Sequence, residues 1–413
     1  MEVKDGSVSH LFYLDGMELE FNDTFPFSVR NKYLAFSLAL PKILNVCAFT
    51  QPSRIELPAH FKSMVSETWF EKAIRQVYNY PILIDKKPEY PRLEVSPGEK
   101  IRKTWSRSGM EDSKVLSLLS FGKDSLLNTL IAKAIGYEVT FLTLKDELFG
   151  EDSCEQVESI IFKRRVEAAN YVRDRYGLEG YFVSTKLHYV PMCKFYSTNM
   201  FVLNVLNGYF CALLFSEKYG QSIISAGNEY GCNLDVKRKF YATLHCSFDK
   251  TVWFTRLFRR FLSSLHPNLR LYSFVEPFVD WETQALLARV YPDLIPYQTS
   301  CESVLCSNCD KCLVMWLVSK IFGFRDMLKG LRDMSKEQVK DILEESTLGI
   351  HAGVAWCLRR LNIIDDEKTN ELADLYNFGT VDERVRKSYL PQKAKRRIVE
   401  MLRAADVEPL VQA

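Results

Sequence analysis

From Lys114 onward, short apolar runs alternate with longer stretches whose apolar residues recur at helical spacing, the pattern of a parallel sheet covered on both faces. Val115, Leu116, Leu118 and Leu119 form the first run. After the polar stretch Ser120-Phe121-Gly122-Lys123-Asp124-Ser125, the residues Leu126, Leu127, Leu130, Ile131 and Ile135 keep a helical period. The chain therefore predicts a strand, a tight loop and a helix there. Further strands are expected over 137–144, 180–185 and 222–226, with helices over about 153–176 and 198–219. Residues 1–112 carry strand-like runs at 11–14, 17–21 and 80–84 and a helix near 59–78, broken by Pro81, Pro88, Pro91 and Pro97. This segment reads as an accessory mixed α/β domain, 113–320 as the central α/β domain, and 321–413 as a charged helical region.

Composition narrows the class without naming a chemistry. The 413 residues, 47% apolar and 26% charged, suit a soluble globular chain of two or three domains. A net charge of +2 gives no global field for nucleic acid or an acidic membrane surface. Local basic runs, Lys237-Arg238-Lys239 and residues 393–397, read as solvated faces. The longest apolar stretch, 200–215, contains Asn204 and Asn207 and is shorter than the ~20 residues a membrane span needs. The opening residues lack the apolar core of a signal peptide, so a cytoplasmic protein is expected, with its eleven cysteines as thiols or metal ligands.

Two loops carry the candidate chemistry. A strand-to-helix junction aims unpaired N–H groups and the positive end of a helix dipole at one point, which suits a phosphate. Residues 120–125 are not a Walker A loop, because Lys123 is followed by Asp124 and Ser117 stands where the first glycine belongs. The second loop, 227–233, follows the strand at 222–226, and ligands of open α/β sheets sit beyond such carboxyl ends. There Asn228, Glu229 and Asn233 offer an acid that could hold Mg²⁺ or remove a proton; an Asx-turn with a solvent-facing acid is the alternative. Asp146, Glu147, Glu151 and Asp152 crowd another strand end, as a metal or ribose site or an exposed acidic loop. One of Lys163, Arg164 and Arg165 could reach phosphate. His188, His245 and His266 are isolated.

Cys301-x₄-Cys306-x₂-Cys309-x₂-Cys312 has metal-ligand spacing. Zinc is the expected ion, an iron–sulfur cluster the alternative. A site closed by four thiolates has no open position and would be structural.

Ser120, Gly122, Asp124 and Ser125 resemble the S-G-G-x-D-S loop of the PP-loop ATP pyrophosphatases, on the adenine nucleotide alpha-hydrolase (HUP, Rossmann-like) fold. Phe121 departs from the pattern, which has glycine there, and is expected in an ordinary β or bridge conformation. With the cysteine cluster, the chain is similar to the 7-cyano-7-deazaguanine synthases. It more closely resembles the ATP-dependent UDP-N-acetylmuramoyl-L-alanyl-L-glutamate epimerases, through Asn207-Gly208 before Cys211-Ala212-Leu213-Leu214, the Asn228-Glu229 to Asn233 loop, Thr299-Ser300-Cys301, and the long amino-terminal region. The resemblance implies ATP bound by Ser120, Phe121, Gly122, Lys123, Asp124, Ser125 and Asn228, with Lys123, Asp124 and Glu229 in catalysis, Mg²⁺ on the phosphates, and structural Zn²⁺ on Cys301, Cys306, Cys309 and Cys312. It implies adenylation of a carboxylate with release of pyrophosphate, on a small substrate such as a UDP-linked peptide whose terminal glutamate is inverted. A deazaguanine synthase, a tRNA-thiolating enzyme using Cys154, Cys193 or Cys232, and a non-enzymatic ATP sensor are the other readings.

Overall fold

The computed structural model describes residues 2–4, 6–14, 17–84, 86–99, 101–105, 109–146, 152–185, 204–233, 236–245, 247–300, 306–328, 330–345, 352–364, 366–374 and 380–405. Strands β1 (Glu2–Lys4), β2 (Ser7–Leu14) and β3 (Met17–Thr24) open the chain as an antiparallel meander. Helices α1 (Lys32–Ser37) and α2 (Ala39–Thr50), strand β4 (Arg54–Leu57), and helices α3 (Lys62–Val65) and α4 (Thr68–Tyr78) follow. Strand β5 (Arg92–Val95) pairs with β4 in a small parallel ladder.

The alternating region begins with β6 (Glu111–Leu118), α5 (Lys123–Ala134), β7 (Glu138–Asp146), α6 (Asp152–Tyr176), β8 (Glu179–Thr185), α7 (Asn204–Tyr219) and β9 (Gln221–Ala226). A hairpin of β10 (Val236–Lys239) and β11 (Ala242–His245) precedes α8 (Val252–Leu265), β12 (Arg270–Tyr272) and α9 (Asp280–Val290). Six further helices complete the described chain: α10 (Asp310–Phe322), α11 (Lys336–Glu345), α12 (Ala352–Arg360), α13 (Glu367–Asp374), α14 (Val381–Lys387) and α15 (Gln392–Ala404). Among the described residues no helix is long and apolar enough to cross a membrane.

The main sheet runs β1-β2-β3-β8-β7-β6-β9-β12, and the strands from β8 to β12 are mutually parallel. The chain moves outward from β6 through β7 to β8, then returns to place β9 on the other side of β6. That reversal between β6 and β9 is a switch point, where two successive crossovers leave in opposite directions and open a crevice at the carboxyl ends. Side chains of β6 serve both faces: Val115 packs with α5, α9 and α10, while Leu116 packs with α7 and α8. Burial on both faces explains the near-continuous apolar run. At Gly208 a Cβ would come within 2.8 Å of Leu118, so glycine lets α7 lie close on β6.

Residues 1–112, expected as an accessory domain, contribute strands to this sheet and share one apolar core with α7 and α8. Trp69 of α4 is fully buried against Phe210, Phe258 and Phe261, with ring centroids 5.5, 5.7 and 5.8 Å away. Each such aromatic pair adds roughly 0.5–1.5 kcal/mol beyond its area. Asp23 of β3 binds the ammonium of Lys42 at 2.6 Å, both fully buried, and accepts the Thr185 hydroxyl of β8 at 2.5 Å. Removing one partner of a buried pair costs about 3–5 kcal/mol, so this junction is firm. Residues 80–84, expected as a strand, form a short 3-10 helix instead. Pro81 lacks the N–H that a ladder needs, and the Ile82 N–H is already donated to the Asn79 carbonyl at 3.1 Å.

Candidate functional site

The loop 120–125 lies at the switch point. Leu119 ends the apolar run, and Ser120 and Phe121 turn the chain into α5. Phe121 has φ +60°, not the β or bridge conformation expected of it. Its ring is fully buried and meets Phe141 edge-on at 5.8 Å, so core packing holds a left-handed backbone that glycine would adopt without strain. The left-handed conformation costs an L-residue roughly 1–2 kcal/mol, whereas losing a buried phenylalanine ring costs about 3–5 kcal/mol. Phe121→Gly should therefore destabilise the fold by about 2 kcal/mol in denaturant titrations, the ring outweighing the relieved strain.

A strap from a distant part of the chain backs this turn. The Thr299 N–H donates to the Phe121 carbonyl at 2.9 Å, the Thr299 hydroxyl to the Ser120 carbonyl at 2.8 Å, and the Lys123 N–H faces Ser300 Oγ at 3.4 Å. Inside the loop, Ser125 Oγ donates to the Gly122 carbonyl at 3.0 Å and lies 3.2 Å from Ser120 Oγ. Gly122 supplies no side-chain cap to α5. The first N–H groups of a helix have no intrahelical partner, so the turn is shaped for an anion.

The loop 227–233 enters the same crevice. A Cβ on Gly227 would lie 2.6 Å from the Asp124 carbonyl carbon and from the Ser125 nitrogen, so only glycine allows the end of β9 to touch the start of α5. Asn228 turns inward: its amide donates to the Tyr209 hydroxyl at 2.7 Å, and its N–H donates to Ser273 Oγ at 3.1 Å. Asn233 Oδ1 accepts the Val252 N–H at 2.8 Å and fixes the loop to the start of α8. Glu229 faces the charged cluster, with Oε2 accepting the Gly231 N–H at 2.6 Å and Oε1 3.4 Å from the Cys232 thiol.

Lys123 sits at the centre. Its ammonium binds the Asp124 carboxylate at 2.8 Å and pairs with Asp280, the first residue of α9. The Thr283 hydroxyl, one turn along α9, lies 2.7 Å from Asp124 Oδ1. Burial alone would lower the Lys123 pKa, but Asp124, Asp280 and Glu229 more than offset it, and the pKa is raised. For Glu229 the balance runs the other way: burial, then repulsion by Asp124 and Asp280, push its pKa up to about 8, against the pull of Lys123. The start of α9 is held in turn by the carboxy-terminal helices, because Arg384 of α14 grips the Glu282 carboxylate at 2.6 and 2.7 Å. Asp280, Thr283, Thr299 and Ser300 are absent from the sequence-derived site. Acids in a first helical turn, Asp280 and Glu282, with Thr283 ahead of an apolar helical period, were the available signal for the first two.

A Mg²⁺ ion would find no ready-made cage here, since Lys123 occupies the place between Asp124 and Asp280. Mg²⁺ commonly arrives on phosphates and takes one or two protein carboxylates. Asp124 or Glu229 fits that part and would let the ion neutralise phosphate charge. Glu147 and Glu151 lie outside the described residues, as do the side chains of Asp146 and Asp152. Arg165 donates to the Leu144 carbonyl at 3.2 Å.

Cys306, Cys309 and Cys312 form a group that could hold a metal ion, their sulfurs all within 4.8 Å of one another. Metal–sulfur bonds of about 2.3 Å in a tetrahedron separate the sulfurs by about 3.8 Å; Cys306 and Cys312 lie 3.8 Å apart. Backbone N–H groups of Asn308 and Cys312 point at the sulfurs of Cys306 and Cys309, each at 3.4 Å, which suits thiolates. Cys301 lies outside the described residues. No protein-family model matches this chain, and no curated protein matches it significantly.

Proposed function

We propose that the chain is an ATP-dependent, AMP- and pyrophosphate-forming enzyme of the PP-loop type that adenylates a carboxylate. The observation that carries this reading is the left-handed turn at Phe121, at the switch point, opening into a helix whose N-cap, Gly122, offers no side chain and that begins with Lys123 and Asp124. The triphosphate lies on the first turn of α5, with Lys123 leaving its carboxylates for the phosphates. A substrate carboxylate attacks the α-phosphorus of ATP; the bond from that phosphorus to the α–β bridging oxygen breaks, pyrophosphate leaves, and an acyl-adenylate is formed. Esterification removes the carboxylate charge and makes the neighbouring C–H more acidic, so a base can take that proton. In the epimerase reading, Glu229 is that base, a proton returns on the opposite face, and hydrolysis frees AMP and the inverted product. Burial pushes the Cys232 thiol well up, with the Glu229 carboxylate adding to it, which disfavours the thiolate a sulfur-transfer reading needs. Incubating the full chain with ATP, Mg²⁺ and UDP-linked peptides tests the proposal: AMP and pyrophosphate support it, ADP and phosphate refute it. Solvent deuterium entering a glutamyl Cα would single out the epimerase.

Glu229 also gives a pH prediction. Its folded pKa of about 8 lies above the ordinary 4.5, so the native state keeps a proton that the unfolded state releases between those values. That stabilising contribution is complete below the ordinary pKa and is lost as pH rises towards 8. Glu229→Gln, which mimics the protonated acid, should gain melting temperature relative to wild type as pH climbs through this window. A pH-invariant difference between the two would remove the raised pKa.

A further inference from the structure

We propose that Lys250 is the anion subsite that holds the acceptor carboxylate beside the nucleotide, an inference that rests on the adenylation reading above. Lys250 ends the short 3-10 helix Phe248–Lys250, which packs on the turn Tyr230–Asn233 directly after Glu229. The hydrogen bond from the Val252 N–H to Asn233 Oδ1, at 2.8 Å, locks the two segments together. Lys250 is thereby brought to the Glu229 and Cys232 side of the crevice.

The two lysines differ in how their charge is met. Lys123 is held by two carboxylates. Lys250, among the described residues, has no carboxylate at ion-pair distance and no side-chain hydrogen bond. Its neighbour Asp249 acts on it electrostatically without an ion pair, and that buried carboxylate accepts the Leu206 N–H at 3.1 Å, in the first turn of α7. Burial would lower the Lys250 pKa, yet Cys232, Asp249, Asp124 and Glu229 together raise it, so the side chain stays an ammonium. A half-buried ammonium with no close counter-ion is a place for an anion to bind.

Charge balance identifies which anion. The phosphates have Lys123 and the N-terminus of α5. The acceptor carboxylate must approach a negatively charged α-phosphoryl group past Asp124 and Asp280, and it needs a cation of its own. A lysine supplies a compact point charge, suited to a carboxylate that must still be free to attack.

Calorimetric titration of the full chain with N-acetyl-L-glutamate, in the presence of α,β-methylene ATP to block cleavage, tests this. Lys250→Gln should weaken binding of the carboxylate probe by about 10-fold or more, the loss expected for a charged hydrogen bond. Affinity for the nucleotide analogue should stay within about twofold, and Lys250→Arg should keep most of the probe affinity. Unchanged probe binding in Lys250→Gln, or loss of nucleotide and probe together, overturns the proposal. So does loss of probe binding in Lys250→Arg, which keeps the charge and carries the test if the glutamine variant does not fold. A wild-type protein that ignores the nucleotide analogue refutes the adenylation reading instead. The probe titration without nucleotide then decides: Lys250-dependent binding sustains the anion subsite, and no binding to wild type overturns it.

Discussion

Asp124→Ala is expected to cut AMP and pyrophosphate formation by about 10³-fold or more, some 4 kcal/mol of transition-state stabilisation, while leaving the fold intact. The side chain stands in the first turn of α5, where it orders Lys123 at 2.8 Å and meets Thr283 at 2.7 Å. Without it the ammonium is left to Asp280 and is drawn from the loop towards α9. The fold should survive because the side chain is 28% exposed and Thr283 keeps the Asp280 carbonyl, 2.7 Å away, as a partner. An acid at a helix N-terminus contributes about 0.3–1 kcal/mol, and relief of its repulsion with Glu229 offsets part of that loss. A pyrophosphate-release assay alongside thermal unfolding separates these effects. Normal turnover in the variant would remove the phosphate-loop assignment.

How much of this site could be read from the chain follows from how local each part is. The β6–loop–α5 unit was legible because its apolar run, polar turn and helical period are contiguous, and the pairing of the two loops followed from their shared position at strand ends. The conformation of Phe121 was not. Intrinsic preference argues against a left-handed phenylalanine, and burial of its ring, with Phe141 brought in by β7, together with the Thr299 strap tips the balance. The strap at Thr299 and Ser300 meets residues nearly 180 positions earlier, with 177 between Lys123 and Ser300; no periodicity encodes that. Asp280 and Lys250 are single charges whose meaning depends on what faces them. Residues 1–112 read as an accessory segment from their proline breaks, and their tie to the sheet is non-local: β3 pairs with β8 and Trp69 joins the rings of α7 and α8. The cysteine spacing, in contrast, was sufficient to anticipate three of the sulfurs in one group.

Cys309→Ser is expected to lower metal content, stability and nucleotide affinity together, because the cysteine group lies between two elements the site needs. Upstream, Thr299 and Ser300 brace the carbonyls of Ser120 and Phe121 and the Lys123 N–H. Downstream, Cys309 caps α10, accepting the Cys312 N–H at 3.4 Å, and α10 buries Leu313, Leu317 and Val318 in the core that backs α5 and α9. An ion held by Cys306, Cys309 and Cys312, with zinc and Cys301 as the proposed metal and fourth ligand, fixes the end of the strap to the start of this helix. A hydroxyl in place of one thiolate removes a ligand that zinc prefers, while serine, itself a good N-cap, keeps the start of α10 capped, so the loss reports on the metal. Elemental analysis, thermal unfolding and ATP titration of the variant measure the three effects. If the metal stoichiometry is unchanged, the thiolate site is wrong. Should metal and stability fall while ATP affinity holds, the strap does not depend on the cluster and the phosphate loop is braced by its own hydrogen bonds alone.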